Sequence, residues 1–355
     1  MKMQKRAFGN CGNQEEATLY SFENKNGMRM EVTDFGATLY ALYVPDENGV
    51  LQDVVLGYED ASVYDSGRGT HFGATVGRCA NRTGYATFTL NGKTYHLNKN
   101  CGEHNLHSGP DSYSLRMWTV KQVTDNSITF SLHSPDGDQG YPGALDVDVT
   151  YTLTEENAVQ LDYCVTTDQD TPVNITNHSY FNLNGHDSGN ILNHQLWVGA
   201  DYYTGTDENS ITTGELIPVE GTPMDFRQKK AIGQDVEADY QALHWAGGYD
   251  HNWCIDRYDG QKFENREVRK VAELEADANQ IKMEVYTDLP GVQVYISNAL
   301  TQEPGKRGAV YAKRQAVCFE TQYYPNAINH EHFEGPVCKA GEYLKTRTIY
   351  KFVCR

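Results

Sequence analysis

The sequence predicts an all-β protein, a large antiparallel β-sandwich assembled from many short strands. Three observations carry this expectation. Strand and turn residues are plentiful, with 24 tyrosines and 32 glycines, while helical runs of Ala, Leu, Glu and Lys are nearly absent. Residues 145–153 and 159–165 alternate apolar and polar side chains with period two. Asn26-Gly27 and Asn91-Gly92, strong two-residue turn signals, sit between strand-like runs. Many short strands joined by turns imply a sandwich or a barrel, and 355 residues favour a sandwich with extended sheets.

In order, residues 19–44 read as strand, turn, strand about Asn26-Gly27. The cluster Pro45-Asp46-Glu47-Asn48-Gly49 then turns the chain toward 54–56. Residues 58–64 suit one short helical turn, and 67–69 a loop. Residues 88–90 and 93–97 flank Asn91-Gly92 as the clearest hairpin, a register that sets Phe88 opposite Tyr95. Residues 118–123 and 128–132 flank Asp125-Asn126 in the same way. Beyond 145–153 and 159–165, the runs 173–183, 195–200, 281–287, 291–297, 316–321 and 346–353 read as strands. Residues 231–240 are the one helix candidate of any length. No linker, charge block or low-complexity tract interrupts the chain, which predicts one domain over 1–355.

A formal charge of −18 argues against nucleic acid, whose phosphates call for clustered Lys and Arg, and weakly against a phosphorylated substrate. Eight cysteines run from Cys11 to Cys354 without Cys-x-x-Cys spacing and read as free thiols. Lys2, Lys5 and Arg6 precede no apolar run, and no stretch approaches the roughly 20 apolar residues of a membrane helix. The expectation is a cytoplasmic protein that binds no membrane.

Chemistry concentrates where polar residues interrupt apolar strands. Taken as one strand, Val173-Asn-Ile-Thr-Asn-His-Ser-Tyr-Phe-Asn-Leu183 presents Asn174, Thr176, His178, Tyr180 and Asn182 on a single face. Amide, imidazole and phenol groups in a row suit the gripping of hydroxyls, and His178 is the one that titrates near neutrality. A structural histidine in a polar sheet face is the alternative. In 316–322, Val317 and Phe319 face one way while Glu320 and Gln322 face the other. A carboxylate inside an apolar strand needs a partner or a raised pKa. In 292–296, Gln293 and Tyr295 share a face. Residues 249–253, with Asp250, gather hydrogen-bonding and stacking groups, and Asn81-Arg82 and Asn105-Leu106-His107 lie beside glycine-rich turns.

His104-x-x-His107 and His330-x-His332 are the only spacings that suggest a metal, and, lying in loops, neither is expected to hold one. There is no P-loop, dinucleotide fingerprint or Gly-x-Ser-x-Gly elbow. A glycosidase would need two carboxyls astride a bond, whereas one carboxylate and one imidazole are the better-supported pair here.

Together these motifs resemble the aldose 1-epimerase (galactose mutarotase) family over nearly the whole chain. The carriers are Gly73-Ala-Thr-Val-Gly-Arg-Cys-Ala-Asn-Arg82, Asn105-Leu-His107, Ser134-Pro-Asp-Gly-Asp-Gln-Gly-Tyr-Pro-Gly143, Asn177-His-Ser-Tyr-Phe-Asn182, Tyr249-Asp-His-Asn252, Pro290-Gly-Val-Gln293 and Glu320-Thr-Gln322. The resemblance implies a β-supersandwich with an open sugar-binding cleft and no cofactor or metal. It implies a free hexose as partner, and we expect a monomer, with a dimer as the alternative. It further implies His178 as general acid, Glu320 as general base, and Asn81, Arg82, His107, Tyr180, Asp250 and Gln293 as ligands of the sugar hydroxyls. Departures from the family pattern are Ser108-Gly109 for Gly-Gly, Asp138-Gln139 for Glu-Glu, Asn326 within Pro-Asp-Ala, and Phe333-Glu334-Gly335 for Phe-Pro-Ser. For this chemistry at pH 7, His178 is expected to stay protonated beside a negative charge while Glu320 stays ionised. The alternatives on the same fold are a non-catalytic carbohydrate-binding protein and a hexose-6-phosphate 1-epimerase.

Overall fold

The computed structural model describes residues 3–12, 14–255 and 268–354. Three sheets dominate it. Strands Gln4–Asn10, Glu16–Glu23, Arg29–Thr33, Thr38–Pro45 and Leu51–Asp53 form a five-stranded meander. The nine-stranded sheet runs Thr119–Val123, Ser127–Ser134, Leu145–Leu153, Ala158–Thr167, Tyr343–Cys354, Ile281–Thr287, Arg269–Glu275, Gln195–Val198, Lys230–Ala231. The six-stranded sheet runs Tyr180–Phe181, Val317–Gln322, Gly291–Tyr295, Asp250–Cys254, Tyr202–Thr206, Thr212–Pro218. Pairing among the described residues is antiparallel, apart from an isolated parallel bridge between Cys79 and Asn174. This is the large antiparallel sandwich that alternation and turns predict.

Period-two patterning explains the layering. Val147, Val149 and Tyr151 of the nine-stranded sheet, Val292, Val294 and Phe319 of the six-stranded sheet, and Met30, Val32 and Leu39 of the first sheet share one apolar core. Tyr350 ties two sheets together, its ring packed at a tilt against Phe181 (ring centroids 4.9 Å) and its hydroxyl donating to the Phe319 carbonyl at 3.0 Å. The hairpin about Asn91-Gly92 forms in the expected register, with the Phe88 and Tyr95 rings stacked 5.2 Å apart. Asn91 and Gly92 both take positive φ, the conformation a tight hairpin turn requires. The short helix Ala61–Tyr64 is capped by the Asp60 carboxylate, which accepts from the Ser62 and Val63 amides.

Two expectations fail. Residues 231–240 are not a helix: Ala231 ends an edge strand, and the Ile232 and Gly233 amides donate to the His194 and Leu192 carbonyls. Beyond them the Gln234 and Ala238 amides close isolated turns onto the Ala231 and Asp235 carbonyls instead of a continuous helical ladder, and the helix present is the following Gln241–Ala246. Nor is 173–183 one strand. Thr176–Asn177 pairs with Thr75–Val76, and Tyr180–Phe181 pairs with Val317 and Cys318, so the chain changes partners at His178. Strands Gln4–Asn10, Tyr202–Thr206, Thr212–Pro218 and Arg269–Glu275 also escaped the sequence reading. Of the cysteines, Cys11, Cys79, Cys101, Cys164, Cys254, Cys318 and Cys338 are free thiols. No helix among the described residues is long and apolar enough to cross a membrane.

Candidate active site

The six-stranded sheet forms one wall of a cavity of about 330 Å³, and register decides which side chains reach it. In Val317–Gln322, Val317 and Phe319 enter the core, which turns Cys318, Glu320 and Gln322 to the other face. Cross-strand pairing sets Gln293 beside Glu320, Asp250 beside Tyr295, and Tyr180 beside Cys318. Four strands therefore bring these groups together without any loop.

The facing wall is built differently. Arg82–Thr83 pairs with Asn105–Leu106, and the residues just outside this ladder, Asn81 and His107, have φ of 60° and 53°. That left-handed backbone is held by side chains: the Arg82 amide donates to Asn81 Oδ1 at 2.8 Å, and the Asn81 amide donates to His107 Nδ1 at 3.1 Å. A backbone amide can only donate, so His107 Nδ1 offers its lone pair and Nε2 carries the proton. The ring thus presents a fixed N–H donor.

Asn81, Arg82, His107, His178, Tyr180, Asp250 and Glu320 all line the cavity, so seven of the eight expected residues meet there. Gln293 is not among the lining residues; its amide donates to Asp250 Oδ1 at 2.7 Å and orients that carboxylate from behind. Arg82 Nη1 lies 4.0 Å from Asp250 Oδ2. Of the row expected on one face of 173–183, only His178 and Tyr180 reach the cavity, with rings stacked 5.1 Å apart. Asn174 instead bonds the Tyr323 backbone through both ends of its amide, and Asn182 donates to the Gly189 and Gln315 carbonyls. Their polarity serves buried backbone.

His178 Nε2 faces Glu320 Oε1 at 3.6 Å, both side chains buried. Burial pulls His178 down to about 3, with His71 adding to the effect. Burial also pushes Glu320 well above the ordinary carboxylate range, with Asp250 adding and Arg82 opposing. This corrects the expected charge pattern: the protein's own groups favour neutral His178 and protonated Glu320, because desolvation outweighs the neighbouring charge. The proton count is unchanged, since imidazolium plus carboxylate and imidazole plus carboxylic acid each hold one proton. Glu320 Oε2 and Gln293 Oε1 are buried with no hydrogen-bond partner among the described residues.

His71, Tyr295, Trp245, Ser210 and Asn298 also line the cavity and were missed as site residues. His71 completes a cluster of three imidazoles, its ring 5.1 Å from His107 and 5.9 Å from His178, with Nδ1 2.8 Å from Ser114 Oγ. Nothing local in Thr70-His71-Phe72 signals this. Tyr295 had a signal, since it shares its strand face with Gln293. Trp245, at the rim and 41% exposed, comes from the helix Gln241–Ala246 that sequence patterning misplaced.

Ligand atoms of His107, His178 and Glu320 lie within 4.8 Å of one another, close enough to suggest a metal. The tautomer argues otherwise. His107 would have to give up its Nε2 proton or move it to Nδ1, against the Asn81 amide. The three groups fit hydroxyl recognition better than a cation.

Comparison with known proteins identifies the family. Residues 18–351 match the family model described as aldose 1-epimerase. The chain is 41% identical to the galactose mutarotase of Sus scrofa over 326 residues, covering 92% of this chain and 91% of that one. It is 37% identical to the aldose 1-epimerase of Haemophilus influenzae over 338 residues, covering 94% and 95%. The crystal structure of an aldose epimerase homologue from C. elegans superimposes with a TM-score of 0.85 at 29% identity, covering 95% of this chain and 98% of that one. The chain belongs to the aldose 1-epimerase family.

Proposed function

We propose that this protein interconverts the α and β anomers of free hexoses such as galactose and glucose, with His178 as general acid and Glu320 as general base. The observation that carries the reading is the His178–Glu320 pair, buried and 3.6 Å apart at the wall of a polar cavity. Glu320 takes the proton from the C1 hydroxyl, the C1 oxygen forms a carbonyl, and the bond from C1 to the ring oxygen breaks. His178 delivers a proton to the departing ring oxygen. Rotation about C1–C2 presents the other face of the aldehyde, and reclosure reverses both transfers.

The proton must first pass from Glu320 to His178. A C1 hydroxyl donating to the unpartnered Glu320 Oε2 favours the carboxylate, and an oxygen accepting from His178 favours the imidazolium. Asn81, Arg82, His107, Tyr180 and Asp250 supply donors and acceptors for the remaining hydroxyls, and Gln293 acts through Asp250. Among the described residues lining the cavity, Arg82 is the only Lys or Arg, and it sits beside Asp250. That single, partly neutralised cation suits a free sugar better than a sugar phosphate.

The test is polarimetry on freshly dissolved α-D-galactose and α-D-glucose. Wild-type protein should speed the drift in rotation well beyond the buffer rate, and Glu320→Gln should lose most of that acceleration while still binding sugar. Wild-type rates in that variant would overturn the assignment of the base.

A further inference from the structure

Trp245 stands apart from the other tryptophans. Trp118 and Trp253 are buried, and the Lys270 ammonium lies over the Trp197 ring, 5.1 Å from its centroid. Trp245 is 41% exposed while lining the cavity, and no ring or cation among the described residues covers its indole. The packing of its helix explains this. Ala242 and Leu243 of Gln241–Ala246 sit in the core. Trp245 and Ala246, three and four residues after Ala242, continue that face outward into the cavity lining. The helix then stops on Gly247, whose φ of 69° is a left-handed cap and whose N–H donates to the Leu243 carbonyl. Gly248 packs so closely on Asn298 that a Cβ there would lie 2.5 Å from Oδ1. Two residues later Asp250 enters the cavity. Trp245 is therefore held by the core on one side and by the strand that carries Asp250 on the other.

We propose that the indole face of Trp245 is a binding platform for the C–H face of the hexose, at the part of the ring away from C1. The inference rests on the mutarotase reading and deepens it. His178 and Glu320, both buried, take the ring oxygen and C1 at the closed end of the cavity, so the opposite edge of the sugar, C3 and C4, faces the rim. A pyranose carries hydroxyls around its edge and C–H bonds on its two faces. Arg82, Asp250 and the other polar groups of the lining suit the edge, while a face needs a flat apolar surface. The rings of Tyr180 and Tyr295 already pack against His178 and each other, which leaves Trp245 as the uncovered aromatic of the described lining. The C–H bonds at C3 and C4 are the same in both anomers and outlast ring opening. The contact is thus equally strong with substrate, intermediate and product, and acts on affinity rather than on the chemical step.

Acrylamide quenching of tryptophan emission in the full chain reads the contact directly. Wild-type protein should show a quenchable component that galactose shields, and Trp245→Phe should lack that component. In polarimetry, Trp245→Leu, which stays apolar but loses the flat face, should raise KM for galactose about fivefold with kcat within about twofold. Trp245→Phe, which keeps a flat face, should hold both constants within about twofold of wild type. An indole that galactose leaves unshielded would overturn the proposal, as would Trp245→Leu with wild-type KM or with a loss confined to kcat. So would an unshielded indole joined to a changed oligomeric mass in Trp245→Leu, which would assign the ring to a protein interface. Failure of the mutarotase reading would show separately, as wild-type protein that does not speed the drift in rotation, and the shielding measurement would still decide the platform.

Discussion

Two buried glutamates, one in each large sheet, differ in everything except their burial. Glu320 is 2% exposed in the six-stranded sheet and Glu273 is 5% exposed in the nine-stranded sheet. Burial alone would raise both. At Glu273 it is overcome by Lys229, Lys282 at 2.7 Å and Lys270 at 2.9 Å, which hold the carboxyl down at about 2. Glu320 has no Lys or Arg in contact among the described residues, faces an imidazole and another carboxylate's field, and moves well upward. The difference teaches that partners, rather than depth, decide whether a buried carboxyl is held ionised or pushed toward its protonated form. One is paired with three lysines, while the other leaves Oε2 without a hydrogen-bond partner among the described residues.

The sharpest way to break this comparison is to neutralise each in turn. Glu320→Gln should lower kcat by about 10²–10⁴-fold, the usual worth of positioned acid–base assistance, whereas Glu273→Gln should leave kcat unchanged in the same polarimetric assay. Acid should separate the two regions next. His71, His178, His194 and His251 are buried and held at about 4, 3, 4 and 4, so in the range below 6.5 the unfolded chain binds protons that the folded chain refuses. Stability therefore falls as pH drops from about 6.5, by roughly 3 kcal/mol for each such imidazole near pH 4. Glu273 works in the opposite sense to a raised carboxyl: its contribution is full above the unfolded value near 4.5 and is lost only as pH falls toward 2. Urea midpoints measured from pH 7 to 4 check this, and a flat profile would sink the account of the imidazoles.

At neutral pH, Glu273→Gln should cost about 1–3 kcal/mol, since three lysines lose a common anion. The smallest effect has the opposite sign. A carboxyl whose folded pKa is raised contributes stability below its unfolded value and loses it as pH rises, so Glu320→Gln should stabilise the fold by about 1 kcal/mol at pH 7–8. A thermal scan showing Glu320→Gln below wild type there would contradict the unpartnered state of this side chain.

How much of this was legible beforehand depended on which wall of the cavity a residue belongs to. Glu320 and Tyr180 stand in strands whose alternation and apolar neighbours announce an inward face, and residues 145–153 and 281–287 form strands with those bounds. His71 and Trp245 reach the cavity through long-range packing of loop and helix, and no local period records that. Gln293 was legible as polar in an apolar strand but not as the support of Asp250, because its diagonal neighbour on the adjacent strand becomes known only with the register. The row on 173–183 failed for a related reason. An Asn that satisfies buried backbone looks, in sequence, like an Asn that grips a ligand. Some departures from the family pattern also acquire a role: the Ser108 hydroxyl accepts the Cys79 amide at 2.8 Å, and Asn326 Oδ1 accepts the Gly84 amide at 3.0 Å.

The two-sided strand Val317–Gln322 has a consequence for how this protein can change. Phe319 lies in the shared apolar core and its neighbour Glu320 in the cavity, one residue apart. Deleting a single residue ahead of them would swap the pair, driving a carboxyl into hydrocarbon and a phenyl ring into the cavity. Evolution can therefore exchange side chains along this segment one at a time, but it cannot shorten or lengthen it without losing architecture and catalysis at one stroke.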